Sequence, residues 1–319
     1  MAIKKKVLVT GGAGFIFSNF IRWALRYHKD DFEFVSIDKI IRPGGMHNIY
    51  ANRGHSLHIG DICDRHFMDV IFRLEQPDFV IHGAAESNTD DCVSNADNLV
   101  LSNILGTQII IDKCREYQVE RLVYISTDGV YGQLAENEAS WTEKSILAPR
   151  NPYSVSKAAA ELLVKAAHKT QGLQYNITRS CNNFGPRQSD RNLIPKVIKC
   201  ILEERPIPIY GQGAQIREWI HVADNCSAIM KILMGPPNES YNISANYEIS
   251  NLELVNMVCN IMDSGHSLIS FVEDRKGHDL RYSTNNSKLK ALGWNPDFKF
   301  KKGLELCAKW YSNNRWFIR

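Results

Sequence analysis

Short runs of apolar and β-branched residues alternate with longer amphipathic stretches through the first half of the chain. The runs predict strands at Val7–Thr10, Phe34–Ile37, Phe79–His82, Leu122–Ser126 and Tyr175–Thr178. The stretches between several of them predict helices at Asn19–His28, Asp97–Tyr117 and Ser156–Gly172. Strands that alternate with helices are joined by right-handed crossovers, so they lie parallel in a sheet covered on both faces. The pattern therefore predicts an α/β fold with a Rossmann-like, doubly wound parallel sheet.

The pattern changes near residue 184. Polar loops interrupt shorter helices from there on, and prolines cluster at positions 186, 195, 206, 208, 236 and 237. We predict that residues 1–184 form the sheet domain and that residues 185–319 form mainly a smaller C-terminal lobe. The boundary is expected to be interleaved, because the second part consists of excursions from the same sheet.

Composition and charge narrow the class of protein. The chain of 319 residues is 44% hydrophobic and 23% charged, which is typical of a globular protein with a sizeable core. A net charge of +3 is too small to indicate binding to nucleic acid or to a membrane surface. No apolar stretch reaches the ~18–20 residues that a membrane span needs. The first strand is expected too close to Met1 to leave room for a signal peptide.

The cysteines indicate the redox environment. The chain has 8 of them, and no two stand in C-x-x-C spacing. We interpret them as buried thiols in a reducing compartment, not as disulfide partners or zinc ligands. The expected location is cytoplasmic, and no bound metal is expected.

The segment "VLVTGGAGFIFSNF" at residues 7–20 combines a strand, a glycine-rich turn and the start of a helix. Gly11 permits the tight turn, and Gly14 lets the backbone approach a pyrophosphate at the helix N-terminus. Asp38 ends the next strand, at the distance where a carboxylate holds a ribose 2′-hydroxyl. Because this carboxylate would repel a 2′-phosphate, the sequence favours NAD over NADP as the cofactor.

One position departs from the dinucleotide pattern. Phe17 stands where the third glycine usually allows the helix to pack closely on the sheet. Overpacking of this kind typically costs ~1–3 kcal/mol unless small neighbours make room. We therefore expect a displaced helix or an unusually small neighbour.

Tyr153 and Lys157 in "NPYSVSKAAAE" stand four residues apart, so they share one face of a helix. A nearby ammonium favours the phenolate and lowers the pKa of the tyrosine, which suits Tyr153 to act as a base on a sugar hydroxyl. The pair follows a strand that ends in Ser126 and Thr127. Together with the glycine-rich turn, these features resemble the extended branch of the short-chain dehydrogenase/reductase superfamily.

Further segments make the resemblance closer over nearly the whole chain. They are "GDICD", "HGAAES", "NILGT", "TRSCNNFGP", "LIPKVI", "PIPIYGQGAQIREWIHVADN" and "EDRKGHDLRYSTNNSKLKALGW". This set is similar to the nucleoside-diphosphate-glucose 4,6-dehydratases, hydro-lyases that act on dTDP-glucose or UDP-glucose. The resemblance implies a product with a 4-keto-6-deoxy sugar, as in rhamnose-type deoxysugar biosynthesis. It also implies a homodimer formed through the helices predicted at Asp97–Tyr117 and Ser156–Gly172.

The resemblance also implies roles for individual residues. Tyr153 would take the proton of the 4-hydroxyl while NAD⁺ takes hydride from C4, Thr127 would assist at the 4-oxygen, and Asp128 would protonate the departing C6 hydroxyl. The implied cofactor contacts are Gly11, Gly14, Phe15, Ile16, Asp38, Lys39, Asp61, Ile62, Ala84, Ala85, Ser102, Tyr153, Lys157 and Asn183.

On the substrate side, the resemblance implies a second set of contacts, which belongs mainly to the C-terminal lobe. These are Ser87, Thr127, Asn182, Asn192, Leu193, Pro208, Tyr210, Arg217, Asn246, Asp274, Arg275 and His278. Arg217 would hold the diphosphate, since a guanidinium suits phosphate bidentately. Pro208 and Tyr210 would pack against the base, and the segment from Asp274 to His278 would close over the nucleotide.

The sequence departs from the family most clearly at Gly129. The family's strand end reads Ser-Thr-Asp-Glu, and its glutamate removes the C5 proton, whereas this chain reads "STDG". General acid–base catalysis is typically worth ~10²–10⁴-fold, so the elimination should be slowed by about that much unless another group substitutes. Smaller departures are Asn88, Asp91 and the pair Arg191-Asn192.

Three functions stay open on this evidence. The first is the 4,6-dehydratase, with thymine or uracil as the base of its substrate. The second is a nucleotide-sugar 4-epimerase, which keeps Tyr153, Lys157 and NAD⁺ but needs no C5 base. The third is a nearly inactive nucleotide-sugar-binding protein, against which the retained Tyr153 and Lys157 argue.

Overall fold

The computed structural model describes residues 4–40, 45–48, 54–87, 96–274 and 278–318. Its strands are β1 Lys5–Thr10, β2 Phe32–Asp38, β3 His55–Ile59, β4 Phe79–His82, β5 Arg121–Thr127, β6 Tyr175–Ser180, β7 Asn182–Phe184, β8 Ile207–Tyr210, β9 Ile216–His221, β10 Glu239–Ile243, β11 Glu248–Ser250 and β12 Ile269–Val272. Its helices are α1 Phe15–Tyr27, α2 Gly45–Asn48, α3 Arg65–Glu75, α4 Ala96–Leu99, α5 Gly106–Glu116, α6 Pro152–Gln171, α7 Leu193–Leu202, α8 Val222–Leu233, α9 Asn251–Met262, α10 Ser287–Ala291 and α11 Phe300–Asn313.

Seven of these strands form the central sheet, in the order β10-β6-β5-β4-β1-β2-β3. Every neighbouring pair in it is parallel. The strand order reverses between β1 and β4, and this is the point at which open α/β sheets bind their ligands. The predicted α/β fold with a parallel sheet is confirmed.

Helices cover both faces of the sheet. Along β1, Val7 and Val9 point into one apolar layer and Leu8 points into the other, as the two-residue period of a strand requires. Helices α1 and α8 contribute to the first layer. Helices α3, α5 and α6 contribute to the second. The sheet is therefore doubly wound.

The predicted strands and helices were found at the predicted places, with β4 at its predicted bounds, but most of the other strands and the starts of two helices were predicted too short. Helix α1 begins at Phe15, immediately after its N-cap Gly14, and so starts four residues before the predicted Asn19. Helix α6 begins at Pro152, which brings Tyr153 inside its first turn. The helix predicted over Asp97–Tyr117 contains a π-helical turn at Val100–Leu105, which separates α4 from α5.

The C-terminal residues build a second apolar core. Two small sheets, β11-β9-β7 and β12-β8, pack with helices α7, α9 and α11 around it. Strand β10 and helix α8 also come from this half of the sequence, but they belong to the central sheet and its cover. The division into domains at residue 184 therefore stays a prediction, because residues after 184 also contribute to the central sheet.

In the residues that the structure describes, every helix is too short or too polar to span a bilayer.

Candidate active site

The glycine-rich turn lies at the carboxyl end of β1, against the end of β4. Gly11 has a φ of +80°, and a Cβ built on it would lie 3.0 Å from the amide nitrogen of Ala84. Gly14 donates its N–H to the Gly11 carbonyl and caps α1, whose first turn contains Phe15 and Ile16. The turn thus brings bare backbone and the positive end of a 13-residue helix to the strand ends, which suits a pyrophosphate.

Phe17 packs against a glycine of a neighbouring segment. Its ring is buried and lies over Gly83, where an added methyl group would overlap the ring. The small neighbour that Phe17 requires is therefore the glycine that follows β4. This pairing explains how the chain keeps the turn without the third glycine.

Asp38 lies at the end of β2, beside the turn. One carboxylate oxygen accepts from the amide of Ala13 at 3.0 Å, and the other accepts from the amide of Ile40 at 2.8 Å. A carboxylate offers about four acceptor positions, so it can still receive hydroxyl donors such as those of a ribose.

Four further predicted cofactor residues lie on the same side of the sheet. Lys39 Nζ lies 3.2 Å from Asp61 Oδ2 and 3.4 Å from Ser102 Oγ, so the structure brings these three residues together. Ile62 is buried next to Gly106.

His82 fixes the loop after β4 through two hydroxyl groups. Thr10 Oγ1 accepts from the amides of Gly83 and Ala84, both at 3.1 Å, so its proton goes to His82 Nδ1 at 2.7 Å. Thr107 donates to the Asn103 carbonyl and therefore accepts from His82 Nε2 at 3.0 Å. The network assigns a neutral His82 protonated at Nε2. Burial, together with the charge of Lys157, lowers the pKa of His82 to about 3 and keeps it neutral.

Asn103, in the π-helical turn, connects that loop to the helix of Tyr153 and Lys157. Its side-chain oxygen accepts from the Glu86 amide at 2.8 Å, and its nitrogen donates to the Glu86 carbonyl and to Ser156 Oγ, both at 2.9 Å. The loop that carries Ala84 and Ala85 is thus held against α6. Ser87, which follows Glu86, is exposed.

Lys157 is buried in the sheet-facing side of α6. Its ammonium lies 4.3 Å above the centre of the Tyr124 ring. Burial lowers the pKa of Lys157 to about 7, and Glu161, one turn along the helix, opposes this effect. Glu161 is itself fully buried and paired with Arg179 at 2.7 Å. The lysine is therefore held in an environment where a small change of charge alters its protonation.

Thr127, Asp128 and Gly129 follow directly at the end of β5. Thr127 donates to Asp128 Oδ1 at 3.0 Å and accepts from the amide of Gly129 at 3.3 Å. Asp128 is 3% exposed, and its Oδ2 is buried without a hydrogen-bond partner. Burial raises the pKa of Asp128 to about 6, against the Thr127 hydroxyl and the Arg217 charge, which both lower it. A buried carboxyl of this kind suits a general acid.

Ser154 occupies the space beside Gly129. A Cβ built on Gly129 would lie 2.5 Å from Ser154 Oγ, and Ser154 is buried next to Tyr153 on α6. The position at which the resemblance implies a glutamate is thus closed by a hydroxyl group from α6. A side chain at 129 requires that hydroxyl to move.

Two asparagines of β7 face the same strand ends. Asn183 donates to Ser180 Oγ at 2.8 Å and to the Cys181 carbonyl at 3.0 Å, and its Oδ1 is buried without a partner. An unpaired buried acceptor fits a ligand that brings an N–H donor. Asn182, the neighbouring residue, is half-buried. The glycine turn, the Asp38 carboxylate and the Asn183 oxygen together fit a dinucleotide.

The predicted nucleotide end is assembled from β8 and the segment after β12. Strand β8 carries Pro208 and Tyr210, and it pairs in parallel with β12. Asp274 accepts from Gln215 at 2.8 Å and lies 2.8 Å from His278 Nδ1. The His278 and Tyr210 rings are 6.5 Å apart. The structure thus brings together four of the predicted residues, whereas Arg275 lies outside the described residues.

Arg217 is more enclosed than a phosphate ligand on an open surface would be. Its guanidinium donates to the backbone carbonyls of Ile216, Leu280 and Asp279 at 2.8, 3.2 and 2.7 Å. It also lies 4.5 Å from the centre of the Tyr282 ring. Its proposed contact with the diphosphate stays a prediction.

The remaining predicted substrate residues lie at element ends. Asn192 is the exposed N-cap of α7, Leu193 is the first residue of that helix, and Asn246 has a φ of +54°. Asn246 donates to Asn286 at 3.1 Å. Asn88 and Asp91, which depart from the family pattern, lie outside the described residues.

Sequence reasoning missed three residues that organise the site, namely His82, Asn103 and Ser154. All three occur inside motifs quoted above, so their membership of those motifs was the signal that could have identified them. Their roles depend on contacts across more than one element, which a linear pattern does not contain.

Known proteins share this fold and these motifs. The family described as GDP-mannose 4,6 dehydratase matches residues 8–307. The chain is 42% identical over 309 residues to the low-salt glycan biosynthesis protein Agl12 of Haloferax volcanii, covering 96% of this chain and 98% of that protein. It is 40% identical to a dTDP-glucose 4,6-dehydratase of Haemophilus influenzae, with 97% and 98% covered.

Solved structures agree. DesIV, a dTDP-glucose 4,6-dehydratase from Streptomyces venezuelae solved with NAD bound, has a TM-score of 0.93 and 36% identity, covering 98% of this chain and 99% of that one. A UDP-glucose 4-epimerase from Thermotoga maritima has a TM-score of 0.91 and 25% identity, covering 97% and 99%.

The chain belongs to the GDP-mannose 4,6 dehydratase family, within the extended short-chain dehydrogenase/reductases. The prediction of an enzyme of the sugar-nucleotide 4,6-dehydratase type is confirmed, as is NAD as the cofactor of its relatives.

Proposed function

We propose that the protein is an NAD-dependent 4,6-dehydratase that converts dTDP-glucose or UDP-glucose to the nucleoside-diphosphate-4-keto-6-deoxyglucose, for deoxysugar synthesis of the rhamnose type. The observation that carries the proposal is the Asp128 carboxyl. It is buried, adjoins Thr127 at the end of β5, and belongs to the 3₁₀ turn that contacts the helix of Tyr153 and Lys157. A redox site that only oxidises and reduces C4 has no use for a buried acid there.

The residues at the glycine turn would hold the dinucleotide. Gly11 and Gly14 would admit its pyrophosphate and Asp38 would accept from a ribose hydroxyl. When bound, NAD⁺ accepts hydride from C4 and, once reduced, returns it to C6. Lys157, whose pKa is lowered to about 7, follows Tyr153 by one helical turn, and in its protonated form it would stabilise a phenolate at Tyr153.

The chain's own groups then move the protons. Tyr153 takes the proton of the 4-hydroxyl, and the resulting ketone acidifies C5. Asp128 protonates the C6 hydroxyl as it departs. If Thr127 turns its proton from Asp128 to the sugar 4-oxygen, Asp128 loses a hydrogen bond that favours its charged form. The pKa of Asp128 then rises, so that more of it is in the protonated form that can act as an acid.

Restoring the carboxylate at Gly129 tests this function. Because Ser154 Oγ would lie 2.5 Å from the new Cβ, the substitution is made together with Ser154→Ala. The Gly129→Glu/Ser154→Ala protein should form the 4-keto-6-deoxy product up to ~10²–10⁴-fold faster than wild type, measured by NMR on both nucleotides. The isosteric Gly129→Gln/Ser154→Ala control should show no rise. An unchanged rate in the glutamate variant, with substrate binding intact, would show that the missing base does not limit the protein. Absence of the 4-keto-6-deoxy product from both wild type and the glutamate variant would contradict the proposal.

The second candidate is a nucleotide-sugar 4-epimerase. Gly129 favours it, because epimerisation at C4 needs no base at C5, and the fold is common to both activities. The product separates the two candidates. A sugar with inverted C4 and an intact C6 hydroxyl would identify the epimerase.

We also propose a cytoplasmic homodimer formed through α6 and the helical segment that contains the π-helical turn. The surface of these elements exposes a group of large apolar side chains. The group, called here the helical apolar patch, consists of Val100, Leu101, Leu105, Val155 and Leu162. Contacts between the two elements place these residues on neighbouring helices, so a second copy of the chain would bury them together.

A further inference from the structure

We propose that Asp128 performs both proton transfers of the elimination, taking the proton from C5 and delivering it to the departing C6 hydroxyl. This inference rests on the proposed 4,6-dehydratase function and replaces the two carboxyl groups of the family's scheme by one.

The first support is the environment of the two Asp128 oxygens. Oδ1 accepts from Thr127 at 3.0 Å. Oδ2 is buried, and nothing in the described residues hydrogen-bonds to it. A buried carboxylate oxygen without a partner is costly, and such atoms occur where a ligand completes the site. The protein therefore orients one oxygen through Thr127 and leaves the other without a hydrogen-bond partner, and we assign that second oxygen to the sugar.

The second support is the occupation of the neighbouring carboxylates. Glu218, whose charge acts on Asp128, is 2% exposed and uses both oxygens. One accepts from Ser244 at 2.7 Å, and the other accepts from the amide and hydroxyl of Thr284 at 2.9 and 2.8 Å. Asp279 is 4% exposed and accepts from the Tyr282 hydroxyl. The other Asp279 oxygen, Oδ1, accepts no hydrogen bond in the described residues but lies 3.4 Å from the Arg150 guanidinium. Both Glu218 oxygens are therefore hydrogen-bonded, and both Asp279 oxygens face protein groups.

The third support is the charge balance around Asp128. Burial raises its pKa to about 6, opposed by the Thr127 hydroxyl and the positive charge of Arg217. Glu218 and the buried groups Cys181 and Tyr282 are the other titratable side chains that interact with it. A carboxyl with this pKa is available both as carboxylate and as acid near neutral pH, which a group that must serve in both forms requires.

The step balances with one residue. The Asp128 carboxylate removes the C5 proton of the 4-ketose, and the electron pair of the C–H bond forms the enolate. The enolate expels the C6 hydroxyl, which leaves as water with the proton held by Asp128. C5 of the 5,6-alkene then takes a solvent proton, and Tyr153 returns the proton taken from the 4-hydroxyl to solvent. Bound NADH would supply the hydride that completes C6.

The test separates proton removal from hydride transfer. The 4-keto-6-deoxy sugar nucleotide has an acidic C5 hydrogen, and its exchange in D₂O requires a base but no oxidation. NMR should show that wild type catalyses this exchange and that Asp128→Asn slows it by on the order of 10²-fold or more. In Asp128→Asn/Gly129→Glu/Ser154→Ala a separate base is restored, so exchange should return while loss of water stays blocked. Asp128→Asn/Gly129→Gln/Ser154→Ala is the matched control, which carries an amide in place of the restored carboxylate and should not recover exchange.

Two results would overturn the inference. Exchange that persists in Asp128→Asn would require another base, with Glu86 on the adjoining loop the first carboxylate to examine. Dehydration by a wild type that does not exchange C5 would also contradict it. Failure of the proposed function is a different result, in which wild type neither binds the 4-keto-6-deoxy sugar nucleotide nor converts the glucose nucleotides.

Discussion

At the scale of single residues, the site is defined by what burial does to charge. His82 is held neutral between Thr10 and Thr107, with a pKa lowered to about 3. Lys157 has its pKa lowered to about 7, and Asp128 has its pKa raised to about 6. Each shift disfavours the charged form, as desolvation requires. The three groups lie at the ends of adjacent strands or on the helix beside them. Both Asp128 and Lys157 therefore have pKa values near neutral pH.

The raised pKa of Asp128 predicts a pH-dependent stability. The carboxyl has its ordinary value of 3.8 in the unfolded chain and about 6 when folded, so burying the charge costs nothing below pH 4 and its full amount above pH 6. The gain in free energy of unfolding of Asp128→Asn over wild type should therefore rise from near zero at pH 4 to about 3 kcal/mol above pH 6. Urea unfolding at pH 4 and pH 7 measures the difference. A difference that is the same at both pH values would show that Asp128 is not buried as a shifted acid.

The sequence supplied candidate catalytic residues but not their environments. The Tyr-x-x-x-Lys spacing selects Tyr153 and Lys157, and the strand-end pattern selects Thr127 and Asp128, and their roles stay predictions. The orphaned Asp128 oxygen and the Ser154 hydroxyl beside Gly129 depend on where α6 lies relative to β5. Linear spacing does not specify that distance.

At the scale of elements, Phe17 and Gly83 join α1 to the end of β4. The sequence places a large residue, Phe17, where a glycine is usual. In the structure, Gly83 from a distant segment leaves room for its ring. The π-helical turn at Val100–Leu105 is a second such feature. It places Asn103 between the cofactor loop and α6, whereas the sequence pattern predicted an uninterrupted helix.

A double-mutant cycle tests the Phe17–Gly83 contact. Gly83→Ala should lower the free energy of unfolding by ~1–3 kcal/mol, because its methyl group overlaps the Phe17 ring. Phe17→Ala alone should cost ~3–5 kcal/mol, and the double variant should cost less than the sum by ~0.5–3 kcal/mol. Leu25→Ala, farther along the same helix, is the control and should be additive with Gly83→Ala. Additivity in both pairs would mean that the two residues do not share the space.

At the scale of the whole molecule, the sequence predicted the parallel sheet and a C-terminal lobe, but it did not predict the strands of that lobe. Strands β1, β2, β4, β5 and β6 each bury at least four residues in succession, which is typical of strands covered on both faces. The C-terminal strands β7, β8, β9, β11 and β12 are short and belong to small sheets, so their patterns are weak. Strand β10 joins β6 although the two are separated by the excursion into the lobe, and only the folded topology reveals that pairing.

The helical apolar patch predicts the assembly state. Leu101→Lys/Leu162→Lys places two charges among side chains that a dimer would bury, so the variant should elute and scatter light as a monomer while wild type behaves as a dimer. Ile146→Lys, at a position that is 83% exposed outside the patch, should leave the mass unchanged. A wild-type protein that is already monomeric, or a patch variant that stays dimeric, would contradict the proposal that the helical apolar patch forms the dimer interface.

The central claim is that one bound nicotinamide moves hydride from C4 to C6 of the same sugar. It is tested most directly with dTDP-glucose and UDP-glucose deuterated at C4, incubated with the protein and analysed by NMR. The account predicts a 4-keto-6-deoxy product with deuterium in its C6 methyl group. Deuterium retained at C4 of an epimerised sugar, or no conversion of either nucleotide, would contradict it.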